Sequence, residues 1–305
     1  MATTRTRLGI AVAAAVVVAG LGLTATYEAA AVNENAGLSA GQDRVVTLTV
    51  DGRARTYRLF VPPAPSTGHY RLVIALHPLG NTGRDFEQMS RLDVGAASAH
   101  ALVAYPDGVD GSWNAGRCCG AAREHGIDDV AFLDAVIDDV EASYSVDTGD
   151  VAMGGLSNGA LMAYRYVCAR SSRVHLAFIA SGALDTPSCQ FSQPVRILHM
   201  HGMQDELVPW AGDQHSPYTT DHVMPSVRET TNKVADADGC TPHSWTRTSI
   251  DQQVTSYTAD GCPTGASVTV LVSRTLAHDW VTGPAAVSAY GIDETHAVWA
   301  FILGS

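Results

Sequence analysis

Short apolar runs alternate with segments of helical period along most of the chain. Two runs near the start, residues 45–50 and 56–61, alternate apolar and polar positions and are joined by Asp51-Gly52, a pair typical of tight hairpin turns. We predict that they form an antiparallel hairpin. The later runs are continuously apolar, as expected of strands buried on both faces of a parallel sheet. They are residues 72–76, 101–105, 151–153, 176–180, 195–200 and 267–272.

The segments between these runs show the 3.6-residue period of helices. Leu133, Val136, Ile137, Val140 and Tyr144 share one helical face, and residues 160–170, 227–237 and 294–303 are also predicted helices. Strands and helices that alternate after an antiparallel start predict an α/β fold with a mostly parallel central sheet and helices on both faces. Only 14 residues separate Ala180 from Val195, so no large lid domain is expected there.

The first 31 residues have the pattern of a signal peptide. Arg5 and Arg7 precede an uncharged apolar run over residues 8–23, and three alanines at residues 29–31 offer a cleavage site. A membrane anchor is the alternative, but 16 apolar residues are short for a hydrocarbon core of ~30 Å. We therefore predict a secreted protein without stable membrane insertion after cleavage. It has a signal peptide at 1–31, a linker at 32–42 and a single catalytic domain at 43–305.

All six cysteines follow this leader, which in an exported chain predicts three disulfides. Short separations favour the pairs Cys168–Cys189 and Cys240–Cys262, which leaves Cys118 for Cys119. No pair of cysteines has the spacing of a zinc site, and we expect no metal. A formal net charge of −12 argues against nucleic acid as a partner, and 46% hydrophobic residues are enough for a large core. We expect a monomer.

The sequence Gly-Leu-Ser-Asn-Gly at residues 155–159 carries the clearest chemical signal. It follows a predicted strand and opens a predicted helix, which is the context of the sharp turn that exposes a nucleophilic serine in GxSxG enzymes. Ser157 is thus the candidate nucleophile. An ordinary Gly/Ser turn is the alternative reading of this short motif.

A serine nucleophile needs a histidine base and a carboxylate that orients it, in the chain order Ser, Asp or Glu, His. Asp205 and His278 follow Ser157 in that order, and each lies just beyond a predicted parallel strand. Glu206 is the alternative carboxylate, whereas Asp279 is too close in sequence to His278 to face its ring. The alternating pair His199 and His201 is interpreted as packed histidines rather than metal ligands.

The oxyanion of an acyl-transfer intermediate needs backbone N–H donors. Asn158 follows the nucleophile and supplies the first. The second is expected from the loop after the strand at 72–76, and Leu79 is the candidate because Pro78 has no N–H.

Several longer motifs resemble the secreted esterases that group polyhydroxybutyrate depolymerases with feruloyl and acetylxylan esterases. They are LHPLGNTG (76–83), YPDGVDGSWNAGRCCG (105–120), IDDVAFLDAVIDD (127–139), GLSNGALMAYR (155–165), HGMQDELVPWAG (201–212), DGC (238–240) and AHDWVTG (277–283). The resemblance implies the α/β-hydrolase fold and the same three catalytic residues. Trp113 and Trp280 lie in motifs beside catalytic loops, and we expect them to flank the substrate. The chain departs from the family where Pro78 follows His77 and where Val281 and Thr282 follow Trp280.

These features predict a serine carboxylic-ester hydrolase without a cofactor. Its expected substrates are hydroxyalkanoate esters or the feruloyl and acetyl esters of plant polysaccharide, in polymeric or oligomeric form. Two alternatives stay open. One is a catalytically silent hydrolase fold that binds carbohydrate or cell wall, and the other is a peptidase or thioesterase that uses the same triad.

Overall fold

The structure is a computed structural model that describes residues 41–63, 68–212 and 223–304, and a mixed sheet of ten strands forms the centre of this described part. The predicted signal peptide at 1–31 and the linker up to residue 40 lie outside the described residues. The strand order across the sheet is β1-β2-β4-β3-β5-β6-β7-β10-β9-β8. The strands are β1 Gln42–Val50, β2 Arg53–Val61, β3 Tyr70–Leu76, β4 Ala101–Pro106, β5 Val146–Leu156, β6 Leu176–Ala180, β7 Arg196–Gly202, β8 Trp245–Ser249, β9 Val254–Ala259 and β10 Ser267–Ser273.

Eight helices accompany these strands in the described part of the chain. They are α1 Gly83–Ser90, α2 Asp93–Ala99, α3 Gly120–Glu124, α4 Asp129–Ser143, α5 Asn158–Arg170, α6 Val227–Ala237, α7 Pro284–Tyr290 and α8 Glu294–Leu303. No helix among the described residues is both long and apolar enough to cross a bilayer. The connection from β6 to β7 contains neither helix nor strand, so no lid domain enters there, as predicted.

The predicted N-terminal hairpin is confirmed. β1 and β2 pair antiparallel, and the two turn residues, Asp51 and Gly52, both have positive φ angles of 49° and 73°. Two positive φ values are the signature of the tight turn whose twist matches that of paired strands. The six predicted apolar strands are also present. β5 starts five residues before its apolar run, and the run does not reveal this first half because it is polar and largely exposed.

The opposite edge of the sheet was not predicted. β8 and β9 form a second antiparallel hairpin next to β10. Four of the five residues of β8 are exposed, so this strand has no apolar run that would reveal it. The short helices α1, α2, α3 and α7 were also missed.

Alternate residues of the central strands fill two separate hydrophobic cores. Leu72 and Ile74 of β3 belong to the first core, whereas Val73 and Ala75 belong to the second. This is the period of two that a strand imposes on its side chains. The first core packs against α4, α5 and α6, and the second against α1, α2, α7 and α8. The helices therefore cover both faces of the sheet, as predicted.

The six cysteines form the predicted disulfides, Cys168–Cys189, Cys240–Cys262 and the vicinal pair Cys118–Cys119. The first joins α5 to the loop before β7, and the second joins the end of α6 to the loop after β9. Such cross-links reduce the entropy of the unfolded chain, so each stabilises the fold.

A buried ion pair joins β2 to the start of α4. An Arg55 guanidinium nitrogen lies 2.8 Å from Asp129 Oδ1, and the side chains are 5% and 0% exposed. The other carboxylate oxygen, Oδ2, accepts a hydrogen bond from the Asn114 backbone N–H at 2.8 Å. Asp128 is the cap, whereas Asp129 neutralises a buried arginine.

We predict that Asp129→Ala lowers the free energy of unfolding by about 3–5 kcal/mol, because it leaves Arg55 buried without a counter-charge. The matched control is Asp138→Ala in the same helix. Asp138 is 65% exposed and pairs with Arg173, so its loss should cost less than about 1 kcal/mol. Urea denaturation of both variants measures the difference. Equal losses would show that the buried pair has no special role.

Candidate active site

Ser157 occupies a sharp turn between β5 and α5. Its φ of 55° and ψ of −123° lie in a region that non-glycine residues rarely adopt. The flanking glycines are required by close packing. A Cβ atom on either Gly155 or Gly159 would collide with the carbonyl oxygen of Leu76 at the end of β3. The strained turn predicted from the GxSxG sequence is therefore present, and it is pressed against the neighbouring strand.

Asp205 and His278 are in direct contact. They follow β7 and β10, which are neighbouring parallel strands. His278 Nδ1 lies 3.0 Å from Asp205 Oδ1 and 2.9 Å from Oδ2. Because the carboxylate accepts, Nδ1 carries the proton and Nε2 keeps its lone pair. The ring is thus held in the form that a general base requires.

The loop after Asp205 wraps around its carboxylate. Oδ1 also accepts hydrogen bonds from the backbone N–H groups of Leu207 at 3.0 Å and Val208 at 2.8 Å. Burial by itself raises the pKa of Asp205, but the hydrogen bond and electrostatic interaction with His278, together with His201 and the Val208 N–H, outweigh it and hold the pKa below its usual value. Asp205 is therefore ionised near neutral pH although it is only 4% exposed.

Ser157, Asp205 and His278 lie at one edge of the sheet. The strands that precede them, β5, β7 and β10, run parallel together with β6, which lies between β5 and β7. The Ser157 hydroxyl makes no hydrogen bond within the described part of the chain. Catalytic hydrogen bonds are commonly long without substrate and tighten in the complex. The structure thus joins two of the three residues and places the third at the same edge.

Neither alternative carboxylate has a hydrogen bond or ion pair with the His278 ring among the described residues. Glu206 is exposed, and Asp279 accepts a hydrogen bond from the Trp280 backbone N–H at 2.8 Å. The predicted packed histidines, His199 and His201, are buried and hydrogen-bond to each other at 3.0 Å.

The loop after β3 is fixed by the ring of His77. Its Nε2 accepts from the Gly108 backbone N–H at 2.9 Å, so its Nδ1–H donates to the Pro78 carbonyl, also at 2.9 Å. The C=O and N–H of a trans peptide point in opposite directions, so the Leu79 N–H points away from His77. No described residue accepts a hydrogen bond from that N–H. Asn158 is the first residue of α5, where an N–H has no partner inside the helix.

Trp113 is buried against His77 and Asn158, next to the sharp turn at Ser157. Its side chain is 0% exposed and its Nε1–H donates to the His77 carbonyl at 3.0 Å. Its backbone N–H and C=O both bond the Asn158 side chain, at 2.7 and 3.0 Å. A ring with no exposed surface cannot contact substrate in this conformation. The structure therefore assigns Trp113 to packing, in place of the expected substrate contact.

Trp280 is likewise buried, with 5% of its surface exposed. Its Nε1–H donates to Thr295 Oγ1 at 3.0 Å, and its ring packs edge-on against Phe86 and Phe178. It anchors the loop that carries His278 to the second core. The expectation that Trp280 flanks the substrate does not fit this position either.

Glu294 holds the same loop from the start of α8. Its Oε2 accepts from the Val281 backbone N–H at 2.9 Å, and its own N–H donates to the Val281 carbonyl at the same distance. Its side chain is fully buried, and Oε1 has no hydrogen-bond partner among the described residues. Burial raises the pKa of Glu294 to about 8, so the group is largely protonated at neutral pH.

Sequence reasoning found the residues with a chemical signature and missed those that support them. Glu294 lies in the first turn of α8, just after the N-cap Asp293, and that position in the sequence indicates only the start of a helix. Sequence reasoning also missed Tyr164, which contacts His199 from α5. A signal for it exists in the sequence, because a tyrosine in a largely buried helix needs a hydrogen-bond partner for its hydroxyl.

We predict that Glu294→Gln removes a pH dependence of stability. A carboxyl whose pKa is raised in the folded state stabilises the protein below its unfolded value of about 4.5 and loses that contribution as pH rises toward 8. Relative to the wild type, Glu294→Gln should gain on the order of 3 kcal/mol between pH 5 and pH 8. Urea denaturation at both pH values tests this, and a constant difference between the two proteins would contradict it.

The sequence matches the phospholipase/carboxylesterase family over residues 120–243. It is 30% identical over 177 residues to a protein named as an esterase, NocK, from Nocardia uniformis subsp. tsuyamanensis, which covers 57% of this chain and 52% of that protein. It is also 30% identical over 166 residues to feruloyl esterase C of Emericella nidulans, with coverage of 52% and 57%. The chain thus spans between half and two thirds of the length of these relatives.

Solved structures with a similar fold include the acetyl xylan esterase from Aspergillus awamori. It has a TM-score of 0.57 and 14% identity and covers 81% of this chain and 99% of its own. A cold-adapted esterase from an Arctic intertidal metagenomic library has a TM-score of 0.52 and 17% identity, with coverage of 86% and 93%. The sheet order, the sharp turn at Ser157 and these two similar structures agree, and the chain has the α/β-hydrolase fold.

Proposed function

We propose that this protein is an exported carboxylic-ester hydrolase that acts through Ser157, His278 and Asp205. The observation that carries the proposal is the contact of His278 Nδ1 with both oxygens of a buried carboxylate, at the sheet edge that also bears the strained serine turn. The esterases among its relatives and structural neighbours support the reaction class. The three disulfides and the leader-like sequence of residues 1–31 support export.

In the proposed mechanism His278 Nε2 takes the Ser157 hydroxyl proton as the oxygen attacks the ester carbonyl. The backbone N–H groups of Leu79 and Asn158 donate to the resulting oxyanion, and each such donor is worth about 3–4 kcal/mol of barrier. His278 then protonates the leaving alcohol. Water then enters and loses a proton to His278 as it attacks the acyl-enzyme carbonyl, and His278 returns that proton to the Ser157 oxygen as the acid leaves. Asp205 stabilises the imidazolium in both half-reactions.

We propose feruloyl or acetyl esters of polysaccharide as the substrate class. The named feruloyl esterase relative and the acetyl xylan esterase fold support this choice. The short connection from β6 to β7 supports access by a bulky substrate, because no lid domain is inserted there. Hydroxyalkanoate esters, which the sequence motifs also favour, are the competing class.

We expect Ser157→Ala to abolish hydrolysis of p-nitrophenyl acetate and to keep the wild-type circular dichroism spectrum. Asp205→Asn should lower kcat by roughly 10⁴-fold, because it removes the acceptor that fixes the imidazole tautomer. Glu206→Gln, a change at the next residue on an exposed side chain, is the matched control and should leave kcat unchanged. Residual wild-type activity in Ser157→Ala would refute the proposal, and a large loss in Glu206→Gln would reassign the carboxylate.

A competition assay tests the substrate class. Mature protein is offered methyl ferulate and a 3-hydroxybutyrate trimer together, and both released acids are followed by chromatography. Preferential release of ferulate supports the polysaccharide-ester proposal. Preferential cleavage of the trimer contradicts it and favours the hydroxyalkanoate class.

A further inference from the structure

A line of buried side chains leads from α5 across β7 to Asp205. The Tyr164 hydroxyl lies 2.7 Å from His199 Nδ1, and His199 Nε2 lies 3.0 Å from His201 Nδ1. His201 Nε2 lies 2.8 Å from the Val208 carbonyl and 3.5 Å from Asp205 Oδ2. The tyrosine and both histidines are at most 1% exposed. None of these three residues has a part in the proposed mechanism.

The acceptor at one end fixes the direction of every hydrogen bond in this line. The Val208 carbonyl can only accept, so His201 Nε2 must carry a proton. A neutral His201 then has a bare Nδ1, which accepts from His199 Nε2–H. His199 Nδ1 is bare in turn and accepts from the Tyr164 hydroxyl. One set of tautomers therefore satisfies all the ring nitrogens of the pair.

The surroundings keep both histidines neutral. Burial lowers the pKa of His199 well below its ordinary value, and the neighbouring His201 lowers it further. Burial also lowers the pKa of His201, an effect that His278 reinforces and that Asp205 and the Val208 carbonyl partly offset. The edge of the Trp210 ring completes the enclosure of His201. Burial therefore favours the neutral forms of both histidines, which this set of hydrogen bonds requires.

The line connects α5 and β7, two elements whose relative position must be fixed if Ser157 and Asp205 are to act together. Tyr164 lies on α5, two turns beyond Ser157, whereas the histidines lie on β7, immediately before the loop of Asp205. Within that loop the Val208 N–H donates to Asp205 Oδ1 while the Val208 carbonyl accepts from His201. His201 therefore holds the residue that closes the loop over the carboxylate, and its Nε2–H also faces Oδ2.

From this geometry we infer that Tyr164, His199 and His201 form a positioning network that orients Asp205 toward His278 and couples it to the nucleophile helix. The inference rests on the proposed hydrolase function, since it assigns these residues a role in the same triad. They act through Asp205 and do not touch the substrate.

A matched pair of tyrosine variants tests the network in the full chain. Tyr166 is also on α5, is 0% exposed and donates to Asp134 at 2.7 Å, and it has no hydrogen bond to Asp205, His199 or His201 among the described residues. Tyr164→Phe and Tyr166→Phe each lose one hydroxyl and one hydrogen bond. We expect Tyr164→Phe to lower kcat for p-nitrophenyl acetate roughly 10-fold with KM within about two-fold, because small misplacements of catalytic groups are costly. Tyr166→Phe should keep the wild-type kcat. Equal kcat values in the two variants would overturn the inference.

Two substitutions of His201 separate its donor from its acceptor. Gln places its amide nitrogen near the position of Nε2 and keeps a donor to Val208, whereas Asn places its polar atoms near Nδ1 and loses that donor. We expect His201→Gln to retain at least about a third of the wild-type kcat and His201→Asn to lose roughly 10-fold or more. The reverse order would contradict a role for the Nε2–H.

Nuclear magnetic resonance provides a readout that does not depend on activity. In protein labelled with ¹⁵N-histidine at pH 6, His199 and His201 should both carry the proton on Nε2 only. The proton shared by His278 Nδ1 and Asp205 should change its chemical shift in His201→Asn and not in Tyr166→Phe. An imidazolium at His201, or an unchanged shift in His201→Asn, would overturn the network. Failure of the wild type to hydrolyse any ester would refute the proposed function instead, and these spectra would still decide the inference.

Discussion

The parallel alignment of β5, β6, β7 and β10 is the constraint on which the rest of the site depends. Parallel strands end at a common edge, so residues far apart in the sequence meet wherever each follows its own strand. Ser157 follows β5, Asp205 follows β7 and His278 follows β10, so all three lie at this common edge. The turn at Ser157 is possible only because two glycines let the chain press against the carbonyl of Leu76. The fold thus sets the arrangement of the three residues, and the strained turn sets the position of the Ser157 hydroxyl.

Several buried polar side chains hold the segments around this edge of the sheet. His77 orients the peptide that carries the Leu79 N–H, and the Asn158 side chain is bonded to Trp113. Glu294 holds the loop after His278. Buried polar groups are costly unless they are hydrogen-bonded, and satisfied networks restrict the conformations that a loop can adopt. In this protein His77, Asn158 and Glu294 each fix the backbone of a loop next to the site.

The sequence predicts the parts of the fold that rest on local pattern. Continuous apolar runs revealed the central strands, and the Asp51-Gly52 turn revealed the first hairpin. β8 was missed because an exposed edge strand carries no such run, and its existence depends on the neighbouring strand. The GxSxG motif indicated Ser157 because it is a local signal. The order of residues along the chain and their positions just beyond predicted strands indicated Asp205 and His278. The burial of Trp113 and Trp280, the raised pKa of Glu294 and the contact of Tyr164 with His199 arise from tertiary packing, which spacing along the chain does not encode.

The central claim is that Ser157 is a nucleophile activated by the Asp205–His278 pair. Its most direct test is reaction of the folded protein with a fluorophosphonate, followed by peptide mass spectrometry of the labelled chain. The account predicts one phosphonyl group per chain, attached to Ser157, with labelling slowed in Asp205→Asn. A protein that does not react, or that is labelled at another serine, would contradict it.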